Sequence, residues 1–257
     1  MKLVIRDKTK KDLFIAIFQS IKACTNIISV TFNSNNIFIQ GMDKSHVCMF
    51  EVNITATWFN EYQKDEDDMP TISFDSTVFC NIISTKHDNH IMELHYEGDP
   101  DNLSVNLIAE KEKGEFSKFF RLPLVDFDFE IMVLPSIEYD AEFAISSKKI
   151  HDITAQMISF GDDIQIKCTD EKIDLTTNGV AGEMLVTIPI DDLTEYSINE
   201  GETVDLTYSL SYVHKMCLTN KLSNEVEICI SHEYPLKVRY HLGESSTVEF
   251  YLAPKVV

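Results

Sequence analysis

Arg121-Leu-Pro-Leu-Val-Asp-Phe-Asp-Phe-Glu-Ile-Met-Val-Leu-Pro-Ser-Ile-Glu-Tyr-Asp140 divides this chain into two halves. Prolines at 123 and 135 and the absence of a helical stripe predict an extended run. Linkers between domains are usually polar and glycine-rich. This one carries Val125, Phe127, Phe129, Met132, Val133 and Leu134, which must pack on the body of the protein or be covered by a partner.

On either side of it the sequence alternates apolar with polar residues, as in Val226-Glu-Ile-Cys-Ile230 and Val248-Glu-Phe-Tyr-Leu252, the period of a sheet with one buried face. Strands are predicted at 36–40, 49–54, 91–96, 104–109, 116–122, 164–168, 172–176, 184–188, 226–231, 236–241 and 247–252. Helices are predicted at 9–23, where Leu13, Phe14, Ile17, Phe18 and Ile21 form one stripe, and at 147–159 behind a serine-rich start. Shorter helices are predicted at 76–84 and 211–219. Each half then reads as a helix, several strands, a second short helix and three more strands. His90-Ile-Met-Glu-Leu94 matches Glu225-Val-Glu-Ile-Cys229, and Phe119-Phe-Arg-Leu-Pro123 matches Phe250-Tyr-Leu-Ala-Pro254. The pattern fits an internal duplication, or two unrelated antiparallel domains.

The 257 residues suffice for one large or two medium domains, and 44% hydrophobic content allows a sizeable core. Lys and Arg total 22 against 42 Asp and Glu, a net charge of -20, which argues against a globally basic surface gripping phosphates. Contact with nucleic acid must use local charge. The opening MKLVIRDKTKKDLFIAIF is too charged for a signal peptide, and no run is long enough to span a bilayer, so a soluble intracellular protein is expected. Six scattered cysteines are expected to stay reduced, and the acceptor-like Asn53 and Asn102 triplets are chance matches without a secretory signal.

Four motifs in register carry a family resemblance: Gln40-Gly-Met-Asp-Lys-Ser-His-Val47, Asp126-Phe-Asp-Phe-Glu-Ile-Met-Val-Leu-Pro135, Ser159-Phe-Gly-Asp162 and Phe250-Tyr-Leu-Ala-Pro-Lys255, with Pro235-Leu before the penultimate strand. The chain resembles the sliding clamps of eukaryotes and archaea, the proliferating cell nuclear antigen family, over essentially its whole length. The resemblance implies an α+β DNA-clamp fold of two similar domains, 1–125 and 141–257, joined by a connector at 126–140. Each would have antiparallel sheets outside and two helices inside, and three chains would close head to tail into a homotrimeric ring.

The implied function is that of a non-enzymatic processivity factor. It would encircle double-stranded DNA and tether DNA polymerase, a clamp loader and peptide-motif clients, with no cofactor and no membrane contact. Its expected location is the nucleus, or a viral replication site, since departures from common cellular members would suit a virus-encoded copy. Clients are expected at an outer pocket made by Met42, His46, Val47 and Met49, by Met132 and Leu134, and by Pro235, Tyr251, Leu252, Ala253 and Pro254, with Ser209 and Tyr212 at its rim. Phe120, Met184 and Val186 are expected in the seam between chains, on edge strands at 116–122 and 183–190. DNA is expected to face Lys10, Lys11, Lys22, Lys148, Lys149, Lys215 and Lys221. Positions often basic in the family read Ile15, Ala16, Ile82, Ala155 and Leu218, so the inner charge should be sparse.

Catalytic chemistry finds no foothold. His87, His90 and His95 share no helical face, and a strand would send His90 and His95 to opposite sides. The cysteines offer no zinc spacing, no phosphate-binding loop is present, and Gly161-Asp-Asp163 and Asp65-Glu-Asp-Asp68 read as a turn and a solvated loop. The alternatives are a subunit of a heterotrimeric checkpoint-type clamp, a monomeric processivity factor, or a β-rich hydrolase or ligand-binding protein with a dispersed site.

Overall fold

The computed structural model describes residues 1–64, 70–98, 101–110, 114–127, 130–135, 137–199, 201–218 and 221–255. The acidic run at 65–68, Phe129 of the connector and Thr219 at the end of the fourth expected helix lie outside the described residues. Two compact units emerge: Met1–Lys44 with Glu51–Met132 and Leu242–Val248, and Ser45–Phe50 with Val133–His241 and Glu249–Val257.

The first half runs β1 (Lys2–Ile5), α1 (Lys8–Lys22), β2 (Ile27–Phe32), β3 (Asn36–Met42), β4 (Cys48–Thr55), β5 (Glu61–Gln63), β6 (Thr71–Asp75), α2 (Ser76–Ser84), β7 (His90–His95), β8 (Asn102–Ala109) and β9 (Lys118–Pro123). The second repeats that order: β10 (Ala141–Ser146), α3 (Ser147–Met157), β11 (Asp163–Cys168), β12 (Lys172–Gly179), β13 (Gly182–Pro189), β14 (Glu195–Ile198), β15 (Val204–Ser209), α4 (Leu210–Cys217), β16 (Glu225–Ile230), β17 (Leu236–His241) and β18 (Thr247–Leu252). The pairings repeat as well. β1 lies between β5 and β7 as β10 lies between β14 and β16, and β2 lies between β3 and β6 as β11 lies between β12 and β15. An element-by-element match of this kind is a duplication, and the reading as two unrelated domains falls away.

Each helix starts where a short polar side chain follows an extended residue. Asp7 accepts from the Lys10 backbone N–H at 2.8 Å, and Asp75 accepts from that of Val78 at 2.8 Å. Ser146 and Ser209 hold the equivalent positions before α3 and α4. The apolar stripe of α1 meets α2 in an aromatic cluster, with Phe18 and Phe79 ring centroids 4.6 Å apart and Phe14 and Phe18 4.8 Å apart. The second half buries Phe143, Tyr208 and Tyr240 among aliphatic side chains and the thiols of Cys168 and Cys217. None of the six cysteines is in a disulfide, and burial raises the thiol pKa of Cys80 to about 11 and of Cys168 to about 12.

After α3, a β-carbon at Gly179 would sit 2.2 Å from the Phe160 carbonyl oxygen, so only glycine lets the β12–β13 turn pass that close to the helix exit. Among the described residues β9 and β13 each end a sheet, whereas their duplicates β18 and β4 have a neighbour on both sides. This difference matters below.

Candidate functional site

In the first unit the Gln40 side chain, 3% exposed, grips the connector by its backbone. Its Oε1 accepts from the Met132 N–H at 2.7 Å and its Nε2 donates to the Met132 carbonyl at 2.8 Å. One amide thereby completes both hydrogen bonds of an extended residue. The connector's apolar side chains are left outward: Ile131 is 52% and Val133 92% exposed. Met42 and Met132 are half-buried.

In the second unit the tail after β18 is tied down twice. The Ala253 N–H donates to the Val47 carbonyl at 3.3 Å, and the Lys255 N–H donates to that of Thr207 at 2.9 Å. The Lys255 ammonium also pairs with Asp163. His46 is exposed in the left-handed region at φ 56°, where the loop reverses. Leu134, Pro235 and Ala253 are exposed, and Val47, Ser209, Tyr251 and Pro254 half-buried.

Three pocket expectations need correction. Leu252 is fully buried, because β18 turns Val248, Phe250 and Leu252 inward. Met49, the second residue of β4, is buried at 6%, so both residues back the surface instead of offering it. Tyr212 lies on α4 with its ring centroid 5.1 Å from Lys215 Nζ, so a residue expected on the outer rim shares a face with one expected to meet DNA.

The residues expected in the seam face the cores of their own sheets. Phe120 stands opposite Val105, and Val186 opposite Leu175, each half-buried at a free edge. Their neighbours Phe119, 70% exposed, and Leu185, 57% exposed, are the large apolar side chains that the sequence reading missed. Alternation along an edge strand assigns them to the outer face, which was the available signal.

The expected DNA-facing lysines divide sharply. Lys11 is 1% exposed, and its Nζ donates to the carbonyls of Asp88 at 2.6 Å and His90 at 2.5 Å. Burial and then Lys86 hold its ammonium below the ordinary lysine value. Lys11 is a structural cation closed to DNA, because the turn into β7 covers the start of α1. Lys10 is half-buried, donating to the Trp58 carbonyl at 2.6 Å and pairing with Glu244 at 3.1 Å. Lys22, Lys148, Lys149, Lys215 and Lys221 are exposed, and none forms an ion pair among the described residues.

His90, buried, spends both ring nitrogens: Nδ1 accepts from the His87 N–H at 3.0 Å and Nε2 donates to the Phe116 carbonyl at 3.2 Å. Glu142, Glu227 and Cys229 bring three ligand atoms within 4.8 Å of one another. Arg239 already occupies that place, bonding Glu227 at 3.1 Å and Glu249 at 2.6 Å, so the group works as an ion-pair network across β16, β17 and β18.

Comparison with known proteins agrees with this geometry. Residues 7–131 match the family described as "Proliferating cell nuclear antigen, N-terminal domain", and residues 133–255 match its C-terminal domain. Proliferating cell nuclear antigen of Chaetomium thermophilum is 31% identical over 229 residues, 87% of each chain. That of Saccharomyces cerevisiae is 27% identical over 95% of this chain and 94% of its own. Proliferating cell nuclear antigen 2 of Plasmodium falciparum is 26% identical over 95% of each. With a duplicated α+β topology and both family domains in order, the chain belongs to the proliferating cell nuclear antigen family, the DNA sliding clamps that act as processivity factors.

Proposed function

We propose that three copies of this chain close head to tail into a ring around duplex DNA, with domains at 1–125 and 141–257 and a connector at 126–140. The supporting observation is the pair of free edges. β9 and β13 lack a neighbour on one side, while their duplicates β18 and β4 have both. Pairing β9 of one copy with β13 of the next would give every repeat the same surroundings, join Phe120 to Met184 and Val186, and cover Phe119 and Leu185. The two edges differ, so the contact is heterologous and a closing rotation limits it to a ring.

Client proteins, with polymerase and clamp loader among them, would dock peptide segments on the second unit around Leu134, Val47, Pro235, Tyr251, Ala253 and Pro254. The work is tethering without catalysis. The relatives' names speak of a nuclear antigen, which supports a nuclear site of action.

Light scattering tests the ring directly. The expected mass is three times 29.4 kDa, falling toward one chain at low concentration in Phe120→Ala. A wild-type monomer at every concentration would sink the proposal.

A further inference from the structure

The α3–α4 pair stands apart from the rest of a chain whose net charge is -20. It exposes Lys148, Lys149 and Lys215, and its only carboxylate is Asp152. On the same pair, His151 of α3 and His214 of α4 bring their ring centroids to 5.6 Å. Ala155 on α3 and Leu218, just after α4, add no charge to this pair.

Both imidazoles are tethered through Nδ1. The Thr154 hydroxyl has one proton, which it gives to the Ile150 carbonyl at 2.9 Å or that of His151 at 3.0 Å. Its oxygen must then accept from His214 Nδ1 at 3.0 Å. His151 Nδ1 lies 3.1 Å from Asp152 Oδ1, a carboxylate that only accepts, so this nitrogen too carries a proton. Each neutral ring therefore has its lone pair at Nε2, and neither Nε2 has a partner among the described residues. A second proton lands at Nε2 without breaking any bond and turns an acceptor into a cationic donor.

We infer that His151 and His214 form a proton-gated contact for a backbone phosphate of the encircled duplex, adding to Lys148 and Lys149 as the pH falls. The inference rests on the reading that α3 and α4 face the DNA.

The surroundings suit such a gate. Lys148, Lys149, Asp152 and Lys215 are the charged groups on the two helices that carry the rings. The strands under the helices turn Phe143, Ile145, Val226 and Ile228 of β10 and β16 and Ile164, Ile166 and Tyr208 of β11 and β15 to their buried faces, so Tyr208 is the one oxygen acid from below. Burial, and then the neighbouring His151, hold His214 below the ordinary histidine value, so at neutral pH it is uncharged. A phosphodiester keeps its negative charge throughout this range. Bound at the two Nε2 atoms, it offsets the mutual repulsion of the rings and draws in the proton.

The test is anisotropy of a short labelled duplex against the intact protein at constant salt, from pH 8 to pH 6. The wild type should tighten about three- to tenfold on acidification, the range expected of one or two exposed ionic contacts. The double variant H151Q/H214Q should match it at pH 8 and lose most of that gain; an unchanged pH slope overturns the inference. Imidazole NMR titration of the wild type adds a readout independent of the variant's fold, with the His214 midpoint expected to rise when duplex is present. If the Lys148 and Lys149 amides shift with DNA but this midpoint does not, the gate fails while the DNA-facing reading stands. If neither responds, both fall.

Discussion

The helix pairs α1–α2 and α3–α4 hold equivalent places in the duplicated topology, yet they spend their cations in opposite ways. In the first pair Lys8 meets Asp88 at 2.5 Å, Lys10 meets Glu244, Lys11 is sealed against carbonyl oxygens, and Lys86 holds Asp12 at 2.5 Å. Only Lys22 at the end of α1 is left exposed without an ion pair among the described residues. In the second pair Lys148, Lys149 and Lys215 remain exposed with no ion pair among the described residues. Duplication preserved the packing between helix and sheet, while charge was committed to stability in one copy and left to solvent in the other.

The largest expected effect comes from putting a carboxylate where Lys11 sits. Lys11→Glu would bury an anion against two carbonyl oxygens and should cost about 4 kcal/mol of stability in urea unfolding. Lys22→Glu, on the same helical stripe, should shift it by less than about 0.5 kcal/mol. Equal costs would erase the contrast between buried and exposed ends of α1.

A smaller effect distinguishes the pairs through DNA. Lys148→Glu with Lys149→Glu should weaken retention on duplex about tenfold and make the logarithmic salt dependence shallower by about 1 per lysine and chain. Lys8→Glu, which removes a cation already held by Asp88, should leave both nearly unchanged. Comparable losses from the two would mean that the ion pairs of the first helix pair open readily.

The smallest effect is acid sensitivity. Burial first of all holds both His90 and His214 below the ordinary histidine value. The unfolded chain therefore binds the proton first, and stability present above about pH 6.5 is lost as the pH falls. Protonating His90 must also break its bond from the His87 N–H, whereas His214 has Nε2 open. Thermal melts between pH 7.5 and 5.5 should lose about 2 °C less in His90→Gln than in wild type, with His214→Gln between them. The reverse order would place the acid-sensitive contact in the second half.

Much of the fold was legible where the chain obeys a simple period. All four helices appear within a residue or two of expectation, and strands such as β8, β12 and β18 follow the alternation of their sequences. Strand β6 passed unread although Thr71-Ile-Ser-Phe-Asp75 alternates, whereas β2 and β10 break the period with the apolar runs Ile27-Ile28 and Phe143-Ala-Ile145. β1, β5 and β14 are too short to show a period, and β15 passed unread although it alternates in part. The site was legible in its motifs and less so in its exposure. Lys11 and Lys22 do share a helical stripe, but no local rule reveals that a distant turn at Asp88 to His90 closes over one end of it. The role of Gln40 was invisible for the same reason, since its partner lies in the connector.

That glutamine clip has a consequence for how such a protein can diversify. Gln40 recognises the N–H and carbonyl of Met132, groups that every residue except proline supplies in full. The neighbouring side chains at Ile131, Val133 and Leu134 are therefore anchored without being read. Substitutions there can retune the exposed apolar strip at little cost to folding, so the connector behaves as a fixed rail with interchangeable fittings.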